Sequence, residues 1–172
     1  MNFKQLIGKY LSGNFPSEQL SQIGVIGLYE GFDSPSLCIL AGLSRNESSY
    51  IADRYLKSTL EELGISLPEK RQSALLYALG ITEDILEGRT ELIAGVWEIK
   101  SKAIDCYDFY SETKHYVYDS IGFELLYGLF DEYDDLINEY IPGHSQEPIN
   151  KVKILLFEEL KIWNIKLKLI CE

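Results

Sequence analysis

At 172 residues, with 46% hydrophobic and 25% charged side chains, the chain is long enough for one globular domain with a real core and too short for two comfortable ones. Such a composition excludes disorder of the whole. A formal net charge of −11 argues against nucleic-acid binding, which needs clustered Lys and Arg, and is compatible with a basic protein as partner.

The N-terminus, MNFKQLIGKYLSGNF, reads as a short amphipathic helix, with no long apolar run before a small-residue cleavage site. Pro16 and Ser17 open a second helical segment to about Tyr29, closed by Gly31. In EGFDSPSL, Gly31 permits positive φ, Asp33 or Ser34 can cap, and Pro35 begins a short helix that runs to Ala41 before Gly42. Asn46 is a candidate N-cap with Glu47 in the first turn, and Ile51, Tyr55, Leu56, Leu60 and Leu63 follow at helical spacing until Gly64. Ser66 to Pro68 restarts the pattern, and Leu75, Leu76, Leu79, Ile85 and Leu86 mark an apolar stripe ending at Gly88, with a bend possible at Gly80.

A helix from Glu91 to about Tyr107 is expected to turn Ile93, Val96, Trp97 and Ile104 inward. Another near Asp119 to Tyr140 is stopped by Pro142 and Gly143. After Pro148, Val152, Leu156, Leu160, Trp163, Leu167 and Ile170 step along a last helix, although WNIKLKLI also alternates as a strand would. No partner strand is apparent. The expected fold is therefore all-α, an irregular bundle of about seven or eight helices in a single domain over residues 1–172. No apolar run approaches the roughly 20 residues of a membrane span, so no membrane association is expected and the cytoplasm is the expected compartment.

Charge is unevenly spread. Residues 1–104 carry 10 basic and 13 acidic side chains, residues 105–140 carry 1 and 10, and residues 141–172 carry 5 and 4. Seven of the twelve tyrosines fall in the same middle segment, which opens on DCYDFYSETKHYVYDS, residues 105–120.

Residues 27–43, GLYEGFDSPSLCILAGL, with LEELGISLP at 60–68 and ILEGRTELIAGVWEI at 85–99, resemble a group of small bacterial all-helical proteins of unknown function. The similarity spans roughly residues 15–100 and leaves out the acidic segment. It implies a helical fold and carries no catalytic residue. In size, charge and composition the chain is also similar to acidic bacterial toxin-immunity proteins, which implies a toxin domain as partner.

The chemical motifs are few. Neither GxxxxGK[ST], GxGxxG nor GxSxG occurs, so no phosphate loop or nucleophile elbow is indicated. The odd, widely spaced cysteines, Cys38, Cys106 and Cys171, suggest reduced core thiols rather than a disulfide framework or zinc site. Glu112 and His115 form an ExxH pair that would share one helical face, but a di-iron bundle needs a second pair, and His144 is preceded three residues earlier by Ile141. The run Asp131 to Asp135 lacks the alternating spacing of a calcium loop. No metal or other cofactor is expected.

The reading that fits best is a non-catalytic binding protein whose acidic, tyrosine-rich surface meets a basic partner. Tyrosine gives large contact area at low entropy cost, and surrounding carboxylates speed encounter with a cationic surface. The candidate partner-binding residues are Asp105, Asp108, Tyr110, Glu112, Tyr116, Tyr118, Asp119, Asp131, Asp134 and Asp135. Against this stands the view that rings such as Tyr127 and Tyr133 are packed inward with only their hydroxyls wet. The alternative function is an enzymatic or metal-binding role without a visible motif; the sequence does not fix an oligomeric state.

Overall fold

The computed structural model describes residues 1–172 apart from 17, 18, 45, 117, 140–144 and 172. Ser17, Tyr140, Pro142 and Gly143, to which the sequence assigned helix boundaries, and Ile141 and His144, which it found not to form a second ExxH pair, thus lie outside the described residues. Among the described residues every regular element is helical, as expected, and no helix is long and apolar enough to cross a membrane. Contacts divide the chain into two compact units, Met1–Gly80 and Ile81–Glu172.

The first unit holds α1 (Phe3–Leu11), α2 (Leu20–Tyr29), α3 (Pro35–Ala41), α4 (Ser49–Glu62) and most of α5 (Lys70–Leu86), which crosses the division at Gly80. Asn2 and Gln5 cap α1 reciprocally, each side chain taking the other's backbone N–H. Gly31 ends the α2 turn at φ +90°, and Ser34 then caps α3 by accepting the Leu37 N–H at 3.2 Å, with Pro35 in the first turn. Glu62 reaches across to accept the Ser36 N–H at 2.9 Å and its hydroxyl at 2.6 Å, which holds the carboxyl below its ordinary pKa. The start of α4 differs from expectation: Ser48, not Asn46, is the N-cap, because Asn46 is held in the preceding turn by its N–H bond to the Ser44 hydroxyl.

Phe3, Ile7, Leu20, Ile23, Leu37, Leu40, Leu56 and Leu60 form the core of this unit. Gly24 makes it possible. A Cβ there would lie 2.4 Å from the Ala41 nitrogen and 2.7 Å from its Cα, so α2 and α3 meet backbone to backbone. The α5 stripe is less one-sided than the sequence suggests, since residues 73–80 are all buried. The helix also continues without interruption through Gly80.

The second unit continues with α6 (Leu92–Glu98), a π-helical turn (Ile99–Ala103) and a 3-10 turn (Ile104–Cys106). The short α7 (Tyr110–Thr113), a second 3-10 turn (Asp119–Ile121), α8 (Glu124–Asn138) and α9 (Glu147–Cys171) follow. Val152, Leu156, Leu160, Trp163 and Leu167 are buried along α9, so the alternating WNIKLKLI segment is helical. The expected helix from Asp119 begins only at Glu124, because the chain before it turns around Trp163. Its indole N–H donates to the Ile121 carbonyl at 3.0 Å, its ring packs on Phe123 with centroids 4.8 Å apart, and Gly122 sits between at φ +66°.

Two burial expectations are corrected. Trp97 is 53% exposed, because α6 stops at Glu98 and the helical phase that would carry Trp97 inward with Ile104 is not maintained. Cys38 is exposed, and Cys106 and Cys171 are half-buried rather than core thiols.

Candidate functional site

The acidic segment is built from turns as much as from helices, and this decides where its side chains go. At Ile99–Ala103 the backbone widens: the Ile104 N–H bonds back to the Ile99 carbonyl, and the Ser101 hydroxyl donates to the Trp97 carbonyl at 2.6 Å. This turn carries Lys100, whose ammonium meets Asp105 at 2.8 Å. Asp105 also accepts the Tyr118 hydroxyl at 3.0 Å. Burial, the Asp105 charge and that hydrogen bond together push the Tyr118 phenol pKa well above its ordinary value.

Around this pair the predicted residues Asp105, Asp108, Tyr110 and Tyr118 line one depression of about 340 Å³. Asp108 accepts the Ser111 N–H at 3.3 Å and so also braces the start of α7. The other predicted residues are spread more widely. Glu112 is exposed on α7, Tyr116 is 62% exposed with its ring edge-on to His115, and Asp119 lies 3.7 Å from His115 Nδ1. Lys114 adopts a left-handed conformation at φ +56°, ending α7 before His115, so Glu112 and His115 do not share a helical face. Asp135 is exposed on α8. Among the described residues no group of three His, Cys, Asp or Glu side chains could hold a metal ion.

A larger groove, of about 710 Å³, runs between α6 and α8. Glu91, Ile93, Ala94 and Trp97 form one wall; Tyr127, Phe130, Asp131, Tyr133 and Asp134 form the other, and no lining residue is basic. This volume lies within the roughly 300–1,000 Å³ of ordinary ligand sites. Trp97 and Phe130 stack with centroids 6.1 Å apart and planes 21° from parallel. Asp134 accepts the Asn138 side-chain N–H at 3.0 Å, while Asp131 has no hydrogen bond or ion pair among the described residues. Tyr127 and Tyr133 are half-buried, so neither the fully packed nor the fully presented picture describes them.

The depression and the groove meet at two residues. Tyr118 of the first packs edge-on against Tyr127 of the second at 5.5 Å, and Lys100, bonded to Asp105, lies 5.9 Å from the ring centres of both Trp97 and Tyr127. Structure thus brings together Asp105, Asp108, Tyr110, Tyr118, Asp131 and Asp134 and adds Trp97, Tyr127, Phe130 and Glu91, which the sequence reading did not assign. One signal for them was present: Tyr127, Phe130, Asp131 and Asp134 stand at i, i+3, i+4 and i+7, a single helical face. Comparison with protein-family models, curated proteins and solved structures finds no match for the chain.

Proposed function

We propose that this is a non-catalytic binding protein that captures a basic protein partner on the acidic, aromatic face formed by the groove and its neighbouring depression. The observation that carries the reading is the groove's lining, four ring-bearing side chains and three carboxylates without a basic residue. Rings supply contact area that loses little entropy on ordering, and carboxylates raise the encounter rate with a cationic surface. With the resemblance to acidic bacterial immunity proteins, the partner is a toxin domain and the binding neutralises it.

The test is reversal of Asp108, Asp119 and Asp134 together to Lys. Asp108 and Asp134 are exposed and Asp119 is half-buried beside an exposed His115, so thermal stability should change little. The association rate with the partner recovered from the native host should fall by at least about tenfold at low salt, and the difference should shrink as salt is added. An unchanged association rate removes this face from the interface.

A further inference from the structure

We propose that the groove between α6 and α8 receives an arginine side chain of the partner polypeptide, and that Lys100, outside the groove but beside two of its rings, opposes that charge. This rests on the reading of the acidic face as a binding surface and specifies what enters it.

The chain's own lysines show what the rings attract. Lys100 Nζ stands 5.9 Å from the centres of Trp97 and Tyr127, and Lys153 Nζ stands 5.3 Å from the centre of Tyr133. Three of the four rings lining the groove therefore already face an ammonium, and Phe130 faces none among the described residues. The negative face of an aromatic ring attracts such cations, most strongly for Trp. Neither lysine lines the groove itself. Inside it remain the Trp97–Phe130 stack and the Asp131 carboxylate, which has no partner among the described residues.

Charge complementarity thus demands a cation, and the shape selects its kind. Trp97 and Phe130 present nearly parallel rings, a surface on which a planar guanidinium can lie flat while its N–H edge donates to a carboxylate. An ammonium is a point charge and gains less from this arrangement. Lys100 occupies the flank of the same Trp97 ring and is held by Asp105, so its charge opposes the incoming one. It sets an upper limit on affinity and demands that the entering group bring more than charge.

The experiment uses the full chain and a fluorescein-labelled hexa-arginine peptide, with hexa-lysine and spermine as competitors, read by anisotropy. Hexa-arginine should bind more tightly than hexa-lysine. W97A and D131N should each weaken it about tenfold, W97F should retain most of the affinity, and K100M should strengthen binding about threefold. Trp97 is half exposed, so W97A does not remove core packing.

Hexa-arginine binding that W97A and D131N leave unchanged overturns the groove assignment. If that same binding is lost in D108K/D119K, whose residues lie outside the groove, the acidic-face reading survives; if it is not, both fall. Spermine competing as strongly as unlabelled hexa-arginine reassigns the site to a free polyamine and overturns the proposal. Weaker binding by K100M overturns the role given to Lys100.

Discussion

The two units fill the space between their helices with different materials. Residues 1–80 carry 7 basic and 8 acidic side chains and no Trp, and their helices close on a mainly aliphatic core around Phe3 and on a glycine that lets two backbones touch. Residues 81–172 carry 9 basic and 19 acidic side chains and both tryptophans, one buried against a turn and one half exposed in the groove. Trp163 is used up by packing. Trp97 and the carboxylates around it are not needed to close a core, and side chains that the fold does not require are available for recognition.

Removing the indole that organises the second unit should have the largest effect. W163A leaves a cavity and strips the Ile121 carbonyl of its partner, so a loss of about 4 kcal/mol is expected in chemical denaturation. A loss under about 1 kcal/mol would mean that the turn at Ile121 and Phe123 is held by something else.

The corresponding blow to the first unit comes from adding one carbon. G24A forces α2 away from α3, at a cost of about 2–3 kcal/mol. Because both tryptophans lie in the second unit, intrinsic fluorescence follows that unit while far-ultraviolet circular dichroism follows both. A G24A transition that shifts by circular dichroism alone would show that the units unfold separately. Coincident shifts would show that they unfold as one.

A smaller effect tests a device found in both units. Tyr10 donates to Asp53 in the first unit as Tyr118 donates to Asp105 in the second, and burial followed by the aspartate raises both phenol pKa values. Folding retains a proton that the unfolded chain releases near pH 10, so this stability is fully present below about pH 10 and is lost as pH rises toward the folded pKa. Y10F and Y118F should each cost about 1 kcal/mol at pH 8, and each should flatten the decline in urea midpoint between pH 9 and 11. A decline that neither substitution alters would assign it to other groups.

The smallest change in stability, and the largest in binding, belongs to Trp97. W97A should alter the denaturation midpoint by less than about 0.5 kcal/mol while weakening capture of a basic partner. A larger stability loss would show that Trp97 is structural like Trp163 and erase the contrast between them.

Most of the helices were legible because their ends are chemically marked: Ser34 and Pro35 open α3, Gly31, Gly64 and Gly88 follow helices at positive φ, and the buried stripe of α9 repeats over five residues. What failed was phase. A helix extended from Glu91 to Tyr107 aligns Ile93, Trp97 and Ile104, but no local signal announces that the α-helix ends at Glu98 and widens, so Trp97 was assigned to the wrong side. Counting charge along the chain singled out the segment that places Asp131 and Asp134 in the groove. It missed Trp97, whose place in the sequence lies outside that segment and which meets Phe130 of α8 only once the chain has folded.

The widened turn at Ile99–Ala103 has a consequence for changes in chain length. A π turn accommodates one residue more than an α turn, so deleting Ser101 would let an ordinary helix pass from Glu98 toward Ile104 with the flanking apolar faces kept in step. The core can absorb that deletion, whereas the reach of Lys100 to Asp105 and across two rings cannot. The surplus residue is therefore a feature of the surface, and shortening the chain by one position would free Trp97 and Tyr127 of the ammonium beside them while leaving the bundle beneath closed.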